Sequence, residues 1–432
     1  MDDLRRDLTA AFNREQSALG NLGGTPDRLL RDGLTARNVP AVSRGPLAAG
    51  IAAVLLTALV IGTFAYVRMG TGPHHLAPVP ATSPGPSPTA LPSPATTGLA
   101  PCAGVESSYG LIISAGKLEM IGSTGCMGPT AATAAPSVHS CADGLPAVLA
   151  PPVSASNDKV YFRDGDTKIR FMTPDGQTGD AATVPGGPTT VSFFSVSPDD
   201  QRIAVLVEDL SAATTIGLRL YVEDLAGGGH HADIYRSAID KGQNGMTLWP
   251  SGWHQGRLIL AVVLACSAAP VYHPSAWHVV DAANADRLAA IDVSTCLSSL
   301  LPSAGGVVCF DPTPLAMRIY DWAGNVTFQG GGTFLELDLP VGLSPSGQSV
   351  FFNGGSATDP GSPGHPSNWR NDFWAGTPRG GAWMATVQGH KACVWIDDST
   401  ILSPDAVTAY PSGTGTSWSV SGTCVGRFPG GL

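Results

Sequence analysis

Charged side chains are scarce in this chain: Asp, Glu, Lys and Arg together make up only 13% of its 432 residues. A coiled coil or helical bundle needs far more of them to solvate its outer faces, so both are excluded. Basic residues are the scarcer sign, 24 against 34 acids, for a net charge of −10. Nucleic-acid binding needs a basic field and is not expected. The common catalytic signatures are missing as well. There is no His-Glu-x-x-His, no Gly-x-x-x-x-Gly-Lys-Ser/Thr loop, no dinucleotide fingerprint and no Gly-x-Ser-x-Gly elbow. Without a Cys-x-x-Cys pair, neither a zinc ribbon nor a thioredoxin-type centre is supported. No cofactor, metal or catalytic residue is assigned.

Glycine and proline are plentiful, at 53 and 36 residues. Such a density implies many turns and many short strands. The length suits two or three domains, or one large β domain with appendages.

One stretch is long and uncharged, GPLAAGIAAVLLTALVIGTFAYV at 45–67. At about 1.5 Å per residue it spans roughly 30 Å of hydrocarbon as a helix. It starts too late and runs too long for a signal peptide. Arg28, Arg31, Arg37 and Arg44 precede it; after Arg68 no Lys or Arg occurs until Lys117. The positive-inside rule therefore places residues 1–44 in the cytoplasm and exports the rest. Residues 1–68 hold eight arginines against six acids, which leaves −12 for the exported part. That mild acidity favours solubility.

All eight cysteines (Cys102, Cys126, Cys141, Cys266, Cys296, Cys309, Cys393 and Cys424) follow the span. An even number on the exported side reads as disulfides. Spacing favours Cys393 with Cys424, then Cys102 with Cys126 or Cys141.

The tail carries Leu4, Leu8, Ala11, Phe12 and Leu19 at near-helical spacing, and a second short helix is expected over 25–35. Two short amphipathic helices bury little, so the tail reads as an anchor segment. A docking segment for a cytoplasmic partner such as a sigma factor is the alternative. Residues 68–101 form a Pro-rich linker, with nine prolines and no charge over 71–101. Extended at about 3.1 Å per residue, it reaches roughly 90 Å from the membrane.

From residue 102 onwards the chain repeats itself. VSPDDQRIAV (196–205) has the form strand, turn, strand, and VSASNDKVYF (153–162) aligns with it without gaps. GLSPSGQSVFF (342–352), LWPSGWHQGRLILA (248–261), WIDDSTIL (395–402) and a degenerate LPSAGGVVCF (301–310) follow the same pattern. The position of Pro198 recurs at 155, 250, 302, 345 and 396. A second strand–turn–strand element follows each first one, as in LYVEDLAGGG (220–229) and MRIYDWAGNV (317–326). Four antiparallel strands per 40–50 residues, repeated six times, predict an all-β, six-bladed propeller. Five or seven blades remain alternatives because the 302 copy is weak. The N-terminal hairpin GLIISAGKLEMIG (110–122) is expected to complete the last blade and cover its open edge.

The Ser-Pro-Asp-Asp turn at 197–200 and Ser-Pro-Ser-Gly at 344–347 resemble the WD40-like repeats of TolB-type β-propellers. The resemblance covers about 150–432. The whole arrangement of Arg-rich tail, single span, Pro-rich linker and propeller is also similar to many membrane-anchored bacterial proteins, which implies a bacterial envelope protein. It implies no reaction. The Trp-Asp and Gly-His pairs of true WD40 repeats are missing.

One segment stands out as a site. NGGSATDPGSPGHPSNWRNDFWAGTPRGG reads as an insertion between strand b (349–352) and strand c (382–386). It carries Trp369, Arg370, Asp372, Trp374 and Arg379. The equivalent loop of the third unit holds Tyr272 and His273. Long loops on a rigid scaffold bind more often than they support, and Trp and Arg are common at hot spots. Asp164-Gly165-Asp166 is read as a hairpin turn in preference to half of a calcium loop. The expected function is a non-enzymatic, membrane-anchored binding or scaffold module for an envelope protein or glycan. The alternatives are an envelope glycan lyase or hydrolase using carboxylates at the channel mouth, and transmembrane signalling through an anti-sigma-like tail.

Overall fold

The computed structural model describes residues 98–432 except 142–143, 150, 243, 268–272, 300, 312–315, 332–336, 357–369, 377–384, 389–391, 411 and 419–421. The expected cytoplasmic tail, the transmembrane helix and all but the end of the linker lie outside the described residues.

The first strands are β1 (Tyr109–Ser114), β2 (Lys117–Gly122) and β3 (Met127–Ala132). Blade I follows as β4 (Val153–Ala155), β5 (Val160–Asp164), β6 (Lys168–Met172) and β7 (Thr178–Thr183). Blade II is β8 (Thr190–Val196), β9 (Arg202–Asp209), β10 (Thr215–Asp224) and β11 (Ala232–Asp240). Blade III is β12 (Met246–His254), β13 (Arg257–Leu264), β14 (Ala276–Val280) and β15 (Arg287–Asp292). Blade IV has β16 (Val307–Asp311), β17 (Ala316–Tyr320) and β18 (Val326–Gly331). Blade V is β19 (Leu337–Leu343), β20 (Val350–Ser356), β21 (Arg370–Gly376) and β22 (Ala385–Gln388). Blade VI is β23 (Val394–Trp395), β24 (Thr400–Ser403), β25 (Ala406–Ala409) and β26 (Thr414–Ser417), and β27 (Thr423–Phe428) ends the series.

All six repeat units form blades of an all-β propeller, each an antiparallel sheet. A further sheet, β27-β1-β2-β3, closes the ring, so the described strands form seven sheets. This corrects the expectation for the N-terminal hairpin. It pairs with β27 from Tyr109 opposite Phe428 to Ile113 opposite Thr423, not with the sheet of blade VI. The physical reason is that blade VI already has four strands of its own, and β27 needs a partner edge. The innermost strands touch in series: β27 lies beside β4, β4 beside β8, β8 beside β12, β16 beside β19, β19 beside β23, and β23 beside β27.

Blade IV lacks its innermost strand as a regular ladder. Isolated bridges pair Leu297 with Phe310 and Ser303 with Gly306 in its place. The Cys296–Cys309 disulfide ties that irregular stretch to β16. The weak repeat copy at 301–310 marks this irregularity in the sequence.

Burial falls from channel to rim. In β8 every residue after Thr190 is buried, because neighbouring blades cover both of its faces. The outermost β26 is exposed throughout. The tight turns are closed by buried serines. In blade II, Ser197 Oγ accepts the Arg202 N–H at 2.9 Å; in blade V, Ser344 Oγ accepts the Ser349 N–H at 3.0 Å. Ser156 and Ser303 do the same for Lys159 and Gly305. Asp200 and Gly347 take positive φ in these turns (60° and 72°), which Asp tolerates and Gly adopts freely.

Tryptophans brace adjoining blades. Trp253 Nε1 of blade III donates to the Ser195 carbonyl of blade II, and Trp395 Nε1 of blade VI donates to the Gly342 carbonyl of blade V. Both rings are essentially fully buried. The largest core cluster joins Trp249, Trp253 and Trp277 to Leu258, Ile259 and Leu260. Burial of each such aliphatic side chain contributes roughly 1.5–3 kcal/mol.

The four disulfides are Cys102–Cys126, Cys141–Cys266, Cys296–Cys309 and Cys393–Cys424. The pairing of Cys393 with Cys424 matches the expectation, and Cys102 takes the first of its two expected partners. Cys424 lies on β27, and Cys393 immediately precedes β23. This bond therefore staples blade VI to the closing strand. Replacing both residues by Ser is expected to lower stability by about 2–4 kcal/mol, read as a shift in the denaturant midpoint. An unchanged midpoint would show that strand pairing alone holds the ring.

Between blades II and III, Glu208 is completely buried. Thr247 Oγ1 donates to its Oε1 at 2.5 Å, while Oε2 has no partner among the described residues. Burial raises its pKa from 4.5 to about 7, with the Thr247 hydrogen bond opposing. The raised value means that the folded state holds the proton more tightly than the unfolded state. Stability from this group is complete below pH 4.5 and declines as pH climbs towards 7. Glu208→Gln is expected to flatten the melting-temperature profile in that window. A profile identical to that of the parent protein refutes the assignment.

Candidate functional site

The inner strands β4, β8, β12 and β27 all start at one end of the channel, here called the upper face. At the opposite end, residues 429–432 cross beneath the channel. There the Gly430 N–H donates to the Ser156 carbonyl (2.8 Å), and the Leu432 N–H donates to the Trp253 carbonyl (2.7 Å).

Strands β13 and β20 end, and β14 and β21 begin, at the upper face. Trp369, Arg379 and Tyr272 lie outside the described residues. Arg370, Asp372 and Trp374 do not sit in a loop. They lie on β21, opposite Ser356, Gly354 and Phe352 of β20. The stretch expected as strand c (382–386) is, in its described part, the start of the fourth strand β22, which pairs with β21; strand c is β21 itself, within the expected insertion. The Gly and Pro on either side of Asn371–Trp374 conceal a strand, although Phe and Trp favour pleated structure. His273 precedes β14, and its Nδ1 lies 2.9 Å from the Ser298 carbonyl.

The structure builds a second feature here that the sequence does not announce. The connector from Thr133 to Pro152 crosses the upper face and is fastened at many points. Asp164 and Asp166, the carboxylates of the β5–β6 turn, hold its first half. The Ala134 N–H donates to Asp164 (2.7 Å), and the Ser137 N–H and Oγ–H donate to Asp166 (2.7 and 2.8 Å). These bonds keep the Asp166 carboxyl below its ordinary pKa. The turn reading of Asp164-Gly165-Asp166 thus gains a role: Gly165 has φ +70°, and its N–H donates to the Ala134 carbonyl. Further along, His139 Nδ1 lies 3.3 Å from the Pro188 carbonyl, and the Val148 N–H donates to the Ala265 carbonyl (2.9 Å). The Cys141–Cys266 disulfide makes the attachment to blade III covalent. The connector is tied to three blades.

Beneath it lies a cavity of about 240 Å³ between the closing blade and blades I and II. Its walls are mostly apolar and include Ile113, Pro136, Leu149, Pro151, Phe193 and Phe194. Its polar side chains are Arg163, Ser192 and Thr423. Arg163 is the penultimate residue of β5 and is only 6% exposed. Its main chain is pinned on both sides: its N–H donates to the Pro152 carbonyl (2.9 Å), and its carbonyl accepts the Thr133 hydroxyl (2.6 Å). The guanidinium Nη2 has no hydrogen-bond partner among the described residues. Burial pushes the Arg163 pKa down to about 10, with Asp166 opposing through space. Sequence reasoning missed this residue. In VYFRDGD it reads as the exposed flank of a hairpin, and nothing local tells that a distant connector covers it.

Among the described residues one group has metal-ligand atoms close together, Cys102, Glu106 and Cys126. The two sulfurs are joined in a disulfide, so neither is a thiolate ligand.

No family model matches the chain, and no curated protein matches it. Solved structures do. An oligogalacturonate lyase from Vibrio parahaemolyticus is similar at 8% identity and a TM-score of 0.40, over 69% of this chain and 81% of that one. A dihydro-heme d1 dehydrogenase in complex with DHE is similar at 12% identity and a TM-score of 0.39, over 78% of each chain. A prolyl oligopeptidase B from Galerina marginata is similar at 9% identity and a TM-score of 0.36, over 55% of this chain and 34% of that one. At such identities the activities in those names belong to those proteins.

Proposed function

We propose that the chain is a membrane-anchored, extracytoplasmic binding module of the bacterial envelope, acting through the upper face of its propeller without catalysis. The observation that carries this reading is the fastened connector over a formed cavity, at the end where the β13–β14 and β20–β21 connections leave their blades. A preformed cavity with apolar walls and a few polar groups suits ligand capture. A face tied to three blades loses little entropy when it binds. The four disulfides support an oxidising compartment, as does the uncharged stretch at 45–67 with its preceding arginines. TolB-type ancestry of the repeats is part of the same reading and rests on the Ser-Pro-Asp-Asp and Ser-Pro-Ser-Gly turns.

Tyr272, His273, Trp369 and Arg379 are the proposed partner contacts, together with Arg370, Asp372 and Trp374 of β21. Because those last three belong to a paired strand, Tyr272, Trp369 and Arg379 are the better probes. The triple substitution Tyr272→Ala, Trp369→Ala, Arg379→Ala is introduced into the full-length protein, which is immobilised and exposed to solubilised envelope fractions. Envelope proteins or glycans retained by the parent protein are expected to be lost at least tenfold, with the melting temperature unchanged. Retention of every bound component alongside a melting temperature lowered by many degrees means that these residues serve the fold, and the reading fails.

A further inference from the structure

The cavity beside the connector is lined by a cation whose charge no described residue neutralises by contact. No carboxylate lies within ion-pairing distance of Arg163 among the described residues. The two nearest in sequence are committed elsewhere. Asp166 is held by Ser137, and Asp164 by the Ala134 N–H with Arg170 at 3.7 Å. Buried charges are ordinarily paired, because an unpaired one forfeits its hydration. Here a cavity is lined in part by Arg163, whose Nη2 is sealed from solvent and has no partner among the described residues.

We propose that this cavity binds a monocarboxylate with an apolar body, a small aromatic or aliphatic acid. Its carboxylate pairs with the Arg163 guanidinium and its body lies against Pro136, Leu149, Pro151 and Phe194. The proposal rests on reading the upper face as a binding surface and names the chemistry of its ligand. A charge-assisted hydrogen bond from a guanidinium to a carboxylate is about twice as strong as a neutral one. The volume fits as well: about 240 Å³ is available, and a dry apolar cavity of about 150 Å³ holds one benzene ring. The walls solvate a single charge at one end and no second one, so a monoanion fits better than a dianion such as phosphate. Ser192 Oγ donates to the Pro185 carbonyl, leaving Arg163 and Thr423 to meet the ligand's polar end. Leu149 on the lining is 40% exposed, which sets the mouth of the cavity there.

The test uses calorimetric titration and thermal shift on the full-length protein with benzoate and hexanoate. Acetate, benzyl alcohol and inorganic phosphate serve as controls. Benzoate and hexanoate are expected to bind one per chain and raise the melting temperature. The three controls are expected to bind at least tenfold more weakly. Arg163→Gln keeps the length of the chain but removes the charge; it is expected to weaken benzoate at least tenfold while melting at or above the parent temperature. Leu149→Trp, at an exposed position, keeps the guanidinium and narrows the mouth. It is expected to weaken benzoate by a similar factor, and so tests the site even if Arg163→Gln fails to fold. Benzoate binding that survives both substitutions overturns the proposal, as does equal binding of phosphate or no binding of either acid. If the acids fail to bind while the Tyr272, Trp369 and Arg379 substitutions still abolish capture, only this proposal falls. If benzoate binds as expected while capture is unaffected by those substitutions, the rim reading falls and this one stands.

Discussion

The pairing of β27 with β1 is the contact on which the rest of the ring depends. It joins residues 109–113 to 423–428, close to the two ends of the described chain. Without it, the first and last blades each present an open edge, and the channel has a gap in its wall. The closing strand is also the innermost one of its sheet, so its loss exposes core and not merely rim. Two further bonds reinforce this seam. Cys393–Cys424 ties it to blade VI, and Cys102–Cys126 ties the entry of the chain to the turn before β3. Each closes a short loop beside the seam, of 31 and 24 residues.

Ring closure leaves the two ends of the channel unequal. The lower end is crossed by residues 429–432, whose N–H groups bond to blades I and III. The upper end is covered by a connector anchored through carboxylates, main-chain bonds and a disulfide. These anchors differ in chemistry from the apolar contacts between blades. The second half of the connector buries Ala147 and Val148 in the largest core cluster, whereas in the first half Val138 is 85% exposed. That first half relies on Asp164 and Asp166. The carboxylates that would otherwise neutralise Arg163 are spent on this fastening. The arrangement thus keeps a guanidinium buried and uncompensated by contact among the described residues, at the wall of a cavity that the connector helps to line.

How much of this was legible depends on the range of each interaction. The repeat phase could be read because its turns have local requirements: a serine hydroxyl to cap the N–H groups, and Asp or Gly where φ is positive. Those requirements put Ser197, Asp200, Ser344 and Gly347 at recurring positions. Trp253 and Trp395 recur for a related reason, since each spans to the preceding blade. The pairing of Cys393 with Cys424 could be read from their short separation of 31 residues. The bond between Cys141 and Cys266 could not, because 125 residues separate them and only the folded connector brings them together. Strand β21 was hidden by the Gly and Pro around it. The inner edge of blade IV was hidden because LPSAGG lacks the β-branched run that marks a strand.

Arg163 is the sharpest case of a property that lies outside its own neighbourhood. Tyr161, Phe162 and Arg163 are all buried, so the alternation that normally sorts inward from outward residues fails over this strand. Tyr161 packs in the core cluster shared with blade II, whereas Phe162 packs in the one shared with the closing blade. Arg163 then falls on the side that Tyr161 occupies, but one step nearer the upper face would place it in water were the connector absent. Pro136, Leu149, Pro151 and Pro152 of the connector share the lining beside it with Ile113, Phe193 and Phe194 of the adjoining sheets. The environment of the charge is thus fixed in advance by distant parts of the chain. Restoring hydration to the guanidinium by removing the strap's anchors would weaken its pairing with an anion. The fastening of the connector and the affinity of the cavity for a carboxylate are, on this argument, one property of the fold.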